Sequence, residues 1–284
     1  MPDGRRLAYT EWGLPDGKPV LYCHGTPGSR LWCPDEETTA RLGVRLIIPD
    51  RPGFGRSDPM EGRTLADWPK DVEALADALR ISSFGVVGVS AGGAYAAACA
   101  ALIPERLGGV AIVSCRALAQ YNWAERPAAI EEWDPEERAQ FELARDDPEG
   151  AANLASADSV DGFRQLQEHP ELIHARLEAA EGDRWFFEDA SRVSTFDDHI
   201  RETWRQGLDA IKWELIDVFQ PWGFRLAEIS IPVTIWHGSQ DPWVKREYID
   251  FQANLIPKST LVVWPDAGHI GFVKHWSELL EAVA

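Results

Sequence analysis

The sequence predicts an α/β protein: a mostly parallel central sheet flanked by helices and interrupted by one helical insertion. Three observations carry that expectation. Over the first 115 residues, short β-branched apolar runs alternate with segments of helical periodicity. Strand-like runs return near Pro232 and Thr260. Between about Arg116 and Leu226 they vanish, and helix-start signals take their place. Alternating strands and helices fold as parallel strands joined by crossover helices, with both faces of the sheet covered.

Along the chain, Arg5 to Glu11 and Lys18 to Cys23 read as strands separated by the turn signal Pro15-Asp16-Gly17. Val44 to Ile48 is a further strand. Leu65, Trp68, Val72, Leu75 and Leu79 recur at three- and four-residue steps, the apolar stripe of a helix. Phe84 to Val89 is a strand by its β-branched content. Ala91 to Leu102, built almost wholly of small residues, is a helix able to pack close to the sheet, and Val110 to Val113 adds another strand. Asp134-Pro135-Glu136-Glu137, Asp147-Pro148-Glu149 and His169-Pro170-Glu171 each set proline near a first helical position with acid in the first turn. Strands resume at Pro232 to Trp236 and Thr260 to Val263, and a helix from Phe272 closes the chain. The expected division is a core of residues 1–115 and 227–284 with a helical cap, or lid, at 116–226.

Composition narrows the function. At 284 residues and 45% hydrophobic, the chain can bury a substantial core. Its formal net charge of −18 repels nucleic acid and anionic membranes, so neither is an expected partner. The uncharged stretch Ile81 to Pro104 is long enough to span a bilayer, but Gly85, Gly88, Gly92 and Gly93 interrupt it, and a buried strand turning into a buried helix fits better. No apolar segment follows Arg5 and Arg6, which argues against a secretory signal. Cys23, Cys33, Cys99 and Cys115 lack paired CxxC spacing, so no metal site is expected and reduced thiols in a cytoplasmic protein are.

The chemistry centres on Gly88-Val89-Ser90-Ala91-Gly92. This is a G-x-S-x-G pentapeptide between an expected strand and an expected helix, the context in which a serine is held on a strained corner above a sheet. A serine hydroxyl needs a base, and the base needs an orienting acid. His24 and His237 each end a strand before a glycine, which suits a packing or loop role. His169, His174 and His199 are expected on solvated helices of the insertion, and His275 on the closing helix. His269, in the loop after the last strand, can lean over the sheet and is the expected base. Asp241, in Gly238-Ser239-Gln240-Asp241-Pro242 after the preceding strand, is the expected acid; Asp266 suits a loop cap. The loop after Val113 reads Ser114-Cys115-Arg116 and offers no carboxylate. The order Ser90, Asp241, His269 is serine, acid, histidine.

With these residues the chain resembles the α/β-hydrolase fold superfamily over nearly its whole length. His24-Gly25-Thr26-Pro27-Gly28 is similar to that family's HGxPG loop, and Asp50-Arg51-Pro52-Gly53-Phe54-Gly55-Arg56-Ser57-Asp58 to its DxPGxGxSD loop. The resemblance implies an oxyanion hole from the backbone N–H groups of Thr26 and Ala91, and a helical cap for the insertion. Serine at the elbow, where dehalogenases and epoxide hydrolases of this fold carry aspartate, implies an acyl-enzyme route and a carboxylesterase-like activity without metal or organic cofactor. The small-molecule substrate is expected to be an apolar or aromatic ester, because the insertion holds six of the 13 tryptophans (Trp123, Trp133, Trp185, Trp204, Trp213 and Trp222). His24, Trp32 and Trp243 are candidate substrate contacts. Two further enzyme readings stay open: a peptidase or amidase like the proline iminopeptidases, whose HGGPG loop has glycine where Thr26 stands, and a carbon–carbon bond hydrolase. A small-molecule receptor on the same fold is the non-enzyme reading.

Overall fold

The computed structural model describes residues 1–116, 171–178, 180–210, 213–214 and 222–284, with scattered positions between 138 and 169. Seven strands form one sheet in the order β1-β3-β2-β4-β5-β6-β7. They are β1 (Tyr9–Gly13), β2 (Lys18–Cys23), β3 (Val44–Pro49), β4 (Phe84–Val89), β5 (Leu107–Val113), β6 (Val233–Gly238) and β7 (Ser259–Trp264). Only β1 runs antiparallel, paired with β3; the other neighbours are parallel. The expected first strand began at Arg5, but pairing starts at Tyr9. Arg5 and Arg6 instead reach away to Asp71 and Asp58, at 2.6 Å each, and so peel the chain off the sheet.

Side chains alternate across the sheet, as the period of two requires. Leu21, Cys23, Val86, Val110 and Ile112 join the core on one face, beneath α2 (Trp68–Ala78) and α3 (Gly92–Leu102). Val20, Tyr22, Val87, Val89, Ala111 and Val113 join the core on the other, where Trp276, Leu279 and Leu280 of the closing helix pack. Helix α3 is buried from Gly92 to Ala100, so it has no polar face, and the uncharged stretch Ile81 to Pro104 is a sheet strand followed by a core helix. Two helices escaped the sequence reading: α1 (Glu36–Arg41), and a helix over Arg246–Leu255. The helix start expected at His169-Pro170-Glu171 leads into α4 (Glu171–Leu177), and α5 spans Ala190–Thr203. The start at Asp134 to Glu137 lies outside the described residues. Between β5 and β6 the described residues hold helices and no strand. With Arg246–Leu255 as α6, the closing helix Trp276–Val283 is α7.

Because β2, β4, β6 and β7 are parallel, their carboxyl ends share one edge of the sheet. The chain passes from β3 back across β2 to reach β4, so the direction of winding reverses beside β4. A crevice forms at such a reversal. Ser90 is the first residue beyond β4.

Candidate active site

Ser90 has φ 53°, a left-handed backbone that costs a non-glycine residue on the order of 1–3 kcal/mol. The surroundings enforce it. Its N–H donates to Val113 O at 2.8 Å, and its carbonyl accepts from the N–H of Gly93 at 3.0 Å. Helix α3 begins so close to β2 and β4 that a Cβ on Gly92 would lie 2.0 Å from Cys23 O, and one on Gly88 2.3 Å from Gly92 O. The two glycines of the pentapeptide thus let the helix press against the strands while the serine is lifted above them.

Asp241 follows β6, and its side chain is sealed from solvent. Its Oδ1 accepts the N–H groups of Trp243 and Val244 at 2.9 and 3.0 Å, and its Oδ2 lies 2.7 Å from Nδ1 of His269, in the loop after β7. Burial works against ionisation here, but the charge and hydrogen bond of His269, with the two N–H donors, hold the carboxyl below its ordinary range. A carboxylate on Nδ1 fixes the neutral tautomer with its proton there, and so leaves Nε2 as an acceptor. Asp266, three residues from His269, is exposed and does not compete for it.

Ser90 and His269 line one cavity of about 50 Å³. Among the described residues no hydrogen bond joins Ser90 Oγ to His269. In apo enzymes that bond is often long and tightens once substrate binds. Thr26, Trp32 and Trp243 also line the cavity. Among the described residues neither the Thr26 nor the Ala91 N–H has an acceptor, so both donors remain available to a ligand oxygen. Ser90 abuts the Thr26 loop closely enough that a Cβ on Gly25 would meet Ser90 Cβ at 3.2 Å.

Beneath that loop lies a charge cluster. Arg51, with no exposed surface, forks onto Glu214, Nε to Oε2 at 2.9 Å and Nη2 to Oε1 at 3.0 Å. The same guanidinium donates to Gly25 O at 3.1 Å, to Thr26 Oγ1 at 2.7 Å and to His24 O, and Thr26 Oγ1 also bonds Glu214. Arg51 thus ties the loop carrying the Thr26 N–H to a carboxylate from the inserted region. Asp50 serves local structure, accepting from the N–H groups of Arg30 and Arg56 at 2.6 and 2.9 Å.

Three sequence expectations need correction. His24, a candidate substrate contact, is fully buried below the cavity and does not line it; its Nδ1 sits 2.8 Å from Gly25 O and 3.1 Å from Arg51 Nη1. His199 is not on a solvated face: it is buried, faces the cavity and has Nδ1 3.0 Å from Ser29 N. Among the described residues, the aromatic walls do not come from the insertion's tryptophans. Trp185, Trp204, Trp213 and Trp222 do not line the cavity, and Trp204 packs instead on Phe54; Trp123 and Trp133 lie outside the described residues. Phe196 and Phe272 wall the cavity with Trp32, which sits 5.3 and 5.9 Å from their ring centroids.

Burying His199 has a stability consequence. Desolvation, aided by the charge of Arg51, drops its ring from 6.5 to about 3, opposed by a hydrogen bond that ring Nδ1 can donate to the Ser29 carbonyl. Between those values the unfolded chain binds a proton that the native state does not. Stability therefore falls as pH falls through this window, by up to about 1.4 kcal/mol per pH unit. His199→Gln is expected to flatten the decline of Tm between pH 6.5 and pH 4; a slope matching the parent chain would contradict this.

Among the described residues no group of three or more His, Cys, Asp or Glu is arranged to hold a metal, and no helix is long and apolar enough to cross a membrane. The chain is similar to the non-heme chloroperoxidase of Streptomyces lividans, 39% identical over 93 residues, 32% of this chain and 34% of that protein. It is also similar to a proline iminopeptidase of Xylella fastidiosa, 37% identical over 116 residues, 37% of this chain and 35% of that one. The matched stretch thus spans about a third of each relative's length. Among solved structures, the bromoperoxidase from Bacillus anthracis superposes with a TM-score of 0.69 at 23% identity, over 98% of this chain and 94% of that one, a likeness of fold. The family model for the alpha/beta hydrolase fold matches residues 18–275. That match runs from the start of β2 to just before the closing helix and takes in every strand-end loop that lines the cavity, so the chain belongs to the alpha/beta hydrolase fold family.

Proposed function

We propose that the protein is a serine hydrolase that cleaves a small carboxylic ester through an acyl-enzyme intermediate. The observation that carries this reading is the Asp241–His269 pair, 2.7 Å apart, beside a cavity that Ser90 shares. His269 Nε2 takes the Ser90 proton as Oγ attacks the ester carbonyl. Asp241 holds the ring and stabilises the imidazolium that results. The carbonyl oxygen, now an anion, accepts from the N–H groups of Thr26 and Ala91; one such donor is typically worth about 3 kcal/mol of barrier. His269 passes its proton to the leaving alcohol, then activates water to release the acid. Every step is proton transfer and acyl transfer, within the chemistry of these side chains.

The cavity's size supports a small substrate. A volume of about 50 Å³ walled by Trp32, Phe196 and Phe272 suits a short acyl chain, and an added methylene that does not fit is worth roughly 10- to 200-fold in kcat/KM. Acetate and propionate p-nitrophenyl esters are expected to be cleaved at least about tenfold faster than the octanoate. A profile rising with chain length would contradict this.

Residues 116–226 serve as a cap on a core of 1–115 and 227–284. In support, Leu177, Phe196 and His199 from that region wall the cavity. Amide cleavage of the iminopeptidase kind is the second reading, favoured by the similarity to that relative. Against it, among the described residues no Asp or Glu lines the cavity to receive a substrate ammonium. Comparing p-nitrophenyl acetate with a prolyl anilide separates the two: the ester reading expects turnover of the first alone.

A further inference from the structure

The inserted region does more than wall the cavity. Asp183, in the short 3-10 segment Glu181–Glu188, is fully buried, and among the described residues it pairs with no lysine or arginine. Its carboxylate accepts two backbone N–H groups, Gly268 on Oδ1 at 2.9 Å and Ile270 on Oδ2 at 3.0 Å. Those two residues bracket His269. A single carboxylate thereby fixes the Ala267–Gly268 peptide, one residue ahead of the histidine, and the His269–Ile270 peptide directly after it, and so restrains the direction in which the ring leaves the backbone. The fit is close: a Cβ on Gly268 would lie 2.3 Å from Asp183 Oδ2. One residue earlier, the Gly182 N–H donates to Gln240 Oε1 at 2.9 Å, and the Gln240 N–H donates to Ala267 O at 2.9 Å. The same short strip therefore grips both the loop of Asp241 and the loop of His269.

Packing alone does not account for a carboxylate here. Burial penalises its charge and pushes the Asp183 pKa up, opposed by the two N–H donors and by the charge of His269, while Asp241 adds to the penalty. An uncharged side chain would fill the space without that cost. What the charge provides is two strong acceptors on the backbone around His269 and a negative field beside the ring. His237 also stands near the pair, 4.0 Å from Asp241 Oδ2.

We infer that Asp183 is a positioning residue: by clamping the N–H groups of Gly268 and Ile270 it holds His269 in register with Asp241 and Ser90, so that the inserted region completes the catalytic site. This rests on the ester-hydrolase reading. The test is a double-mutant cycle on the full chain with p-nitrophenyl acetate, using Asp183→Asn, His269→Ala and the pair. Asp183→Asn keeps the volume but gives up the charge and one acceptor. It is expected to lower kcat by about 10- to 100-fold, as loss of an orienting partner does in other sites, with KM changed less than about twofold. In the His269→Ala background the same substitution is expected to have no further effect. An unchanged kcat in Asp183→Asn, or an equal fall with His269 absent, overturns the inference. Should Asp183→Asn fail to fold, Gln240→Ala at the exposed neighbouring contact carries the test: kcat is expected to fall several-fold at constant KM, and an unchanged kcat overturns it. Turnover undiminished by His269→Ala alone would instead remove the hydrolase reading itself.

Discussion

Ser90→Ala is expected to lower kcat on p-nitrophenyl acetate by about 10⁶-fold, the loss seen when the nucleophile is removed from an acting triad. The protein should stay folded. Among the described residues no hydrogen bond to the Ser90 hydroxyl supports the core, and alanine inherits the backbone at φ 53° at a strain comparable to that of serine. The backbone contacts that hold the corner, Ser90 N–H to Val113 O and Gly93 N–H to Ser90 O, do not depend on the side chain. A Tm within a few degrees of the parent, together with collapse of turnover, is the expected pair of results. Turnover that survived with the fold intact would show that the elbow is an architectural corner and the chemistry lies elsewhere.

Glu214→Ala is expected to cost stability far beyond an ordinary surface substitution. It leaves Arg51, fully buried, without the carboxylate that meets two of its nitrogens at 2.9 and 3.0 Å. Removing one partner of a buried pair typically costs about 3–5 kcal/mol, because the remaining charge stays desolvated. The loss should reach activity as well. Arg51 and Glu214 both hold the Thr26 hydroxyl, and the loop's N–H is one of the two oxyanion donors in the proposed mechanism. Glu214→Gln keeps an oxygen for Arg51 and should fall between the parent and Glu214→Ala in urea denaturation. A Glu214→Ala variant within about 0.5 kcal/mol of the parent would mean that the cluster is solvated rather than sealed.

The boundary between β4 and α3 could be read from sequence because two local signals coincide there: a β-branched run ends at Val89, and glycines stand where neighbouring backbones come within van der Waals contact. Likewise Asp241 and His269 each follow an apolar strand, and a parallel sheet collects such loops on one edge. The misses share a different cause. Helix α1 is only six residues long, too short for a periodic stripe, although Asp35 caps it by accepting the Thr38 N–H at 2.9 Å. In α6 the buried face includes Gln252, a polar residue that breaks the apolar pattern. Asp183, Glu214 and His199 act through partners 85, 163 and 170 positions away, and no spacing within their own segment announces such contacts. The described tryptophans of the insertion stand away from the cavity for a related reason: composition counts rings but does not say where the fold places them.

The most direct measurement is to quench the protein in acid during turnover of p-nitrophenyl acetate and map the acylated peptide by tandem mass spectrometry. A single acetyl group is expected on the Ser90 hydroxyl, and none on the same peptide of Ser90→Ala. Acetyl on another residue, or steady hydrolysis with no acyl group ever found on the chain, would contradict it.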